Sequence, residues 1–209
     1  MNKKHLEMIL SQQVRGFERP NSSLEQYLTP PSVAANMILF AYNNSHIEGR
    51  KILDFCAGTG MLGIAATILG AEVTFIEKDL QAIKILKQNI KNLDTEYSPA
   101  IIHDDVFEFS FGSRYDTVVL NPPFGIQQKV KTDIDFVVQA GMAGEHIYSI
   151  HDGSPANITN LPNLLDQKNI ITQGYFLDEF EISRTYHWHE KRIKKQKVMI
   201  LYSLSGNFL

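Results

Sequence analysis

Short apolar runs rich in β-branched residues alternate with stretches whose apolar positions recur every three or four residues. This pattern predicts a parallel sheet covered by helices, an α/β fold. Lys-Ile-Leu-Asp-Phe at 51–55 reads as a buried strand, 61–69 as a helix, and Glu-Val-Thr-Phe-Ile-Glu at 72–77 as the next strand. From Leu80 to Ile90 the pattern is amphipathic, with Ile83, Leu86, Ile90 and Leu93 at helical spacing and the lysines mostly elsewhere. Further strands are expected at 100–103, 117–121, 146–150, 175–182 and 198–204, which brings the total to seven. Ahead of the sheet, 1–18 and 32–42 look helical, separated by turn-rich residues at 18–23 and the Thr29-Pro30-Pro31 break.

A chain of 209 residues is long enough for one well-buried domain and short for two, so a single unit over 1–209 is expected. Residues 1–45 form its helical cap and 46–209 its sheet core. Apolar residues make up 44% of the chain and charged ones 21%, in short interspersed runs, which fits a globular protein with no membrane span. The first residues lack the apolar segment and cleavage site of a secretion signal, and the single cysteine, Cys56, excludes an intrachain disulfide and a cysteine-cluster zinc site. A cytoplasmic location follows as an expectation. The net charge of −3 argues against coating nucleic acid by charge alone, but Lys191 to Lys197 gathers five cations in seven residues directly after Tyr186-His187-Trp188-His189.

Four segments carry chemistry. Asp54-Phe55-Cys56-Ala57-Gly58-Thr59-Gly60 follows a strand and opens a helix, so its glycines let the backbone pass close to a ligand. Only Gly58 and Gly60 are paired, unlike the dinucleotide fingerprint, and a tight turn without a ligand is the plainer alternative. Glu77 ends the next strand, where open α/β sheets place an acid for ribose hydroxyls. Lys78 and Asp79 follow as turn and helix cap. Asp105-Val106, after the third strand, offers a carboxylate and an amide to an adenine ring, or else a helix cap. Asn121-Pro122-Pro123-Phe124-Gly125 ends a strand in a loop stiffened by two prolines. There the Asn121 side-chain oxygen and the Pro122 carbonyl can hold the two N–H groups of a planar amine, turning its lone pair toward an electrophile. Phe124 can stack on the base. His103, His146 and His151 lie at or near strand ends and read as satisfied structural histidines; no metal ligand is assigned.

On these residues the chain resembles the class I methyltransferases with an Asp/Asn-Pro-Pro-aromatic motif. Within them it is similar to the methyltransferase-like-five family of ribosomal RNA adenine-N6 methyltransferases and their archaeal relatives. The likeness spans nearly the whole chain: 24–29, Asp54 to Gly60, Asp105-Val106, Asn121 to Gly125, Thr132-Asp133, 148–151 and 189–192. Leu28 stands where a proline is usual, and Glu77 replaces an aspartate.

The resemblance implies a seven-stranded sheet with the last strand antiparallel and S-adenosylmethionine held over the first strands, with S-adenosylhomocysteine as product. It carries cofactor contact to Gln26, Tyr27, Thr29, Asp54, Cys56, Ala57, Gly58, Thr59, Gly60, Met61, Glu77, Lys78, Asp105, Val106 and Asn121, and catalysis to Asn121, Pro122, Pro123 and Phe124. The substrate is then a single-stranded or flipped adenosine in RNA. Trp188, His189, Lys191, Arg192, Lys194 and Lys195 are candidates for gripping it, against the plain reading of a solvated hairpin between the last two strands. Eukaryotic members work with a small zinc-binding activator protein added at a sheet edge. Two alternatives stay open: methylation of a protein glutamine amide, and a cofactor-binding partner protein without catalysis.

Overall fold

The computed structural model describes residues 1–18, 20, 21, 26, 28–91, 93, 98–112, 114–123, 132–182 and 194–208. Its elements run α1 (Lys3–Gln13), α2 (Pro31–Asn43), β1 (Lys51–Phe55), α3 (Met61–Ile68), β2 (Glu72–Glu77), α4 (Leu80–Ile90), β3 (Ala100–His103), β4 (Tyr115–Leu120), α5 (Asp133–Ala143), β5 (Gly144–Asp152), α6 (Pro155–Asp166), β6 (Ile170–Ile182) and β7 (Lys194–Ser205). The strands form one sheet in the order β3-β2-β1-β4-β5-β7-β6. The first five strands pair in parallel, whereas β7 runs antiparallel to both β5 and β6. The chain therefore reverses direction across the sheet between β1 and β4, and the carboxyl ends of both strands open onto one crevice.

Each strand feeds two cores, because alternate side chains point to opposite faces. On one face Ile52, Val73 and Phe75 meet Leu6, Leu10, Met37, Ile38 and Ile64, so α1 to α3 pack there. On the other, Leu53, Phe55, Ile76 and Val118 meet Phe136, Val137, Leu161 and Leu165 of α5 and α6. Truncating a fully buried ring such as Phe75 in a core of this kind costs about 3–5 kcal/mol.

Several bounds differ from the sequence pattern for identifiable reasons. Helix α1 stops at Gln13 rather than near 18 because the next residues exchange helix bonds for tertiary ones: the Arg15 N–H donates to Asn89 Oδ1 at 3.0 Å. Strand β6 begins at Ile170 rather than 175 and β7 at Lys194 rather than 198, since an antiparallel ladder continues through polar residues as long as both backbones stay extended. Helices α5 and α6 carry weak sequence signals. The first has Val137, Val138 and Gly141 in its body and the second has Pro162, and it is burial of Phe136, Val137, Leu161 and Leu165 that holds them. No helix among the described residues is long and apolar enough to cross a membrane.

Candidate active site

The turn after β1 is built by backbone geometry. Cys56 and Gly58 have φ of 64° and 56°, and Gly60, the cap of α3, has φ of 93°. At Gly60 a Cβ would stand 2.3 Å from the Leu86 methyl, so both the dihedral and the packing demand glycine. Gly63 serves packing instead, because its missing Cβ makes room for the Phe75 ring and the Asp54 carboxylate. Asn89, which the sequence pattern does not single out, splices this turn to the N-terminal segment. Buried in α4, it donates through Nδ2 to the Thr59 carbonyl at 2.9 Å and to the Arg15 carbonyl at 3.0 Å.

Two buried carboxylates face the turn. Asp54 is 2% exposed and accepts from the Gly63 N–H at 2.7 Å. Burial pushes its pKa up to about 8, the Gly63 bond opposes that, and the neighbouring Glu77 adds to it. Glu77 accepts from the Gly58 N–H through Oε2 at 2.7 Å and from the Asp79 N–H through Oε1 at 2.8 Å. Burial raises its pKa too, against those backbone bonds. Each oxygen of a carboxylate keeps a second lone pair, so Glu77 retains capacity for a pair of hydroxyls. Burial raises the Cys56 thiol well above its ordinary value, which favours the neutral thiol.

A cleft opens in front of Cys56 and Glu77. Among the residues carrying a cofactor expectation, Gln26, Cys56, Glu77, Lys78, Asp105 and Val106 line it, together with Pro123 from the proline loop. Asp54, Thr59, Met61 and Thr29 are buried and stand outside that lining, as do Ala57, Gly58, Gly60 and Asn121. Lys78 reaches within 3.6 Å of Asp105 Oδ2, while Asp105 Oδ1 caps the following turn by accepting from the Phe107 N–H. The cap and a place on the cleft thus coexist at Asp105. Gln26 donates to Asp79 Oδ2 at 2.7 Å, tying the segment before α2 to the start of α4.

Asn121 sits one residue past β4. Its Nδ2 donates to Thr29 Oγ1 at 3.0 Å, and its buried Oδ1 has no partner among the described residues. Such an orphaned acceptor costs about 1–3 kcal/mol unless a ligand satisfies it. Phe124 and Tyr27 lie outside the described residues, as do Trp188, His189, Lys191 and Arg192. Lys194 begins β7 and Lys195 is exposed, 4.0 Å from Glu179 across the β6–β7 ladder. The three histidines at strand ends are bonded as structural residues: His103 to the Lys78 carbonyl, His146 to the Tyr202 hydroxyl, and His151 through both ring nitrogens.

Residues 33–143, from α2 through α5, match the methyltransferase small domain. Along nearly its full length the chain is 32% identical to an rRNA N(6)-adenosine-methyltransferase, Mettl5, of Drosophila melanogaster, covering 90% of this chain and 89% of that one. The Danio rerio counterpart is 34% identical, with 92% and 93% covered. The chain belongs to the Mettl5 family. A Pyrococcus horikoshii crystal structure described as an RNA methyltransferase candidate superposes with a TM-score of 0.87 at 32% identity, covering 98% of both chains. The fold is the class I methyltransferase fold, and the matched domain holds the glycine turn, Glu77 and Asn121 in one stretch.

Proposed function

We propose that this Mettl5-family chain methylates the N6 amino group of an adenine in ribosomal RNA. The observation that carries the reading is the buried Asn121 Oδ1, which accepts no hydrogen bond among the described residues and stands at the head of a proline-stiffened loop whose Pro123 lines the cleft. S-adenosylmethionine supplies the methyl group from its sulfonium. Glu77 accepts the ribose hydroxyls, Asp105 and Val106 address the adenine ring, and the Gly58–Gly60 turn admits the backbone to close range. Asn121 Oδ1 and the Pro122 carbonyl accept the two N–H bonds of the substrate amine, which turns its lone pair out of the ring plane. As the C–N bond forms and the C–S bond breaks, the nitrogen becomes acidic and releases its extra proton to water, so no strong base is needed.

Phe124 stacks on the target base, and the residues from Trp188 to Lys195 contact RNA phosphates beyond it. The neighbouring β6–β7 hairpin extends to Ile182 and Lys194, which supports a projecting arm for that task. β3 and β6 are the two edges of the sheet, and either can accept a strand from a small zinc-binding activator. The protein works in the cytoplasm. A glutamine methyltransferase is the second reading; a ribosomal protein uL3 glutamine methyltransferase of Francisella tularensis is 27% identical over 113 residues, 36% of its length. Far shorter coverage ranks it below RNA.

Labelled methyl transfer from S-adenosylmethionine to rRNA, tRNA, DNA and protein, followed by nucleoside analysis, decides the matter. N6-methyladenosine in rRNA, reduced at least about 100-fold in Asn121→Ala, is the expected result. Label in protein instead refutes the RNA reading.

A further inference from the structure

The strand next to the amine seat carries a buried polar chain that the reaction as described does not use. Ser149 and His151 lie two residues apart on one face of β5 and are 1% and 0% exposed. His151 Nδ1 is 2.8 Å from Oδ2 of Asp133, the first residue of α5, and Nε2 is 2.7 Å from Ser149 Oγ. One tautomer satisfies both contacts: Nδ1–H donates to the carboxylate and Nε2 accepts from the serine hydroxyl.

The register gives this chain a position. Ser149 pairs with Leu120, the last residue of β4, so His151 stands past the end of β4, at the level where the backbone turns into Asn121 and Pro122. The connection from β4 to α5 begins at Asn121. It ends at Thr132, which caps α5 reciprocally with Asp135. The near end is held by the β4 ladder and the Asn121–Thr29 bond. The far end is held by Asp133 on His151. An aliphatic side chain at 151 would fill the same apolar surroundings, opposite Met199, but dispersion contacts tolerate small slips that two directed hydrogen bonds to one ring do not.

We propose that Ser149, His151 and Asp133 form a positioning brace, which fixes the start of α5 against β5 and thereby the far end of the connection whose near end seats the substrate amine. The brace acts through Asn121 and touches no reacting atom. It rests on the reading of Asn121 as the amine seat.

The test uses the full chain, rRNA from cells lacking this methyltransferase, and the variants Asp133→Ala, His151→Leu, His151→Asn and Asn121→Ala. Single-turnover transfer, S-adenosylmethionine affinity and melting temperature are measured for each. Asp133→Ala and His151→Leu are expected to lose roughly 10- to 100-fold in kcat, with cofactor affinity within about twofold of wild type. His151→Asn, which keeps an N–H near the Nδ1 position, is expected to recover most of the loss. The brace is refuted if Asp133→Ala turns over at the wild-type rate while Asn121→Ala is inactive, if His151→Asn is no better than His151→Leu, or if kcat and cofactor affinity fall in parallel. An active Asn121→Ala sinks the amine-seat reading instead.

Discussion

The two ends of the parallel strands bury polar groups for opposite ends. At the carboxyl end, Asp54 and Glu77 face the glycine turn, and Asn121 Oδ1 is left without a partner among the described residues. At the amino end, His46 and His146 stack with ring centroids 3.7 Å apart. His46 Nδ1 lies 2.8 Å from the Tyr148 hydroxyl, His146 Nδ1 lies 3.1 Å from that of Tyr202, and the two tyrosine rings stack in turn at 4.7 Å. Burial pushes every one of these groups toward its neutral form: the carboxylates and tyrosines up, His46 down to about 4 and His146 down as well. The amino end finds its partners within the cluster and gains a rigid aromatic stack. The carboxyl end keeps acceptors in reserve, and a reserved acceptor is what a cationic, hydroxyl-bearing ligand requires.

Removing a reserved acceptor should therefore cost binding. Glu77→Ala is expected to weaken S-adenosylmethionine affinity about 10- to 100-fold, measured by calorimetry, and to lower the melting temperature as well, because the Gly58 and Asp79 N–H groups lose their acceptor. His146→Phe at the other end should leave affinity untouched. An equal loss from both would dissolve the contrast.

The next effect is smaller and has a sign. With its folded-state value raised to about 8, Asp54 is largely protonated in the free protein at neutral pH, and a cationic ligand favours its ionised form. Binding then releases a proton, so affinity should rise from pH 6.5 to 8.5, by at most about tenfold per pH unit for one linked group. Asp54→Asn should flatten the profile; a flat wild-type profile would separate Asp54 from the cofactor.

The amino end predicts a change in stability instead. His46 is held near 4 in the folded chain against 6.5 in its ordinary state, with burial the leading cause, the nearby His146 and Arg50 adding and Glu145 opposing. The unfolded chain binds more protons between those values, so this contribution is complete above pH 6.5 and is lost as pH falls toward 4. Scanning calorimetry at pH 7 and pH 5 should show a drop in melting temperature that is smaller in His46→Phe, while the substitution leaves cofactor affinity at pH 7 unchanged.

Much of the site could be read from the chain because its chemistry is local. The strand, glycine turn and helix from Lys51 to Ile68 occupy one continuous stretch, and Glu77 ends, and Asn121 directly follows, a strand whose β-branched run announces it. The reciprocal bonds of Asn89 with Arg15, and the single bond of His151 Nδ1 to Asp133, have no such signature. They join positions far apart in the sequence, through side chains that look like ordinary polar residues of a helix or strand.

The sequence by itself determined the alternation of strands and helices, the φ > 0 turn at Gly58 and Gly60, and the order in which the acidic and amide groups reach the crevice. Local sterics and side-chain periodicity act within a few residues, so they are written where they operate. Only the tertiary structure decided that α5 and α6 are helices, that His151 is bonded on both sides, and that Asn121 keeps one oxygen unpaired among the described residues. Those outcomes depend on which surfaces the sheet brings together, and burial, unlike backbone preference, belongs to the whole fold.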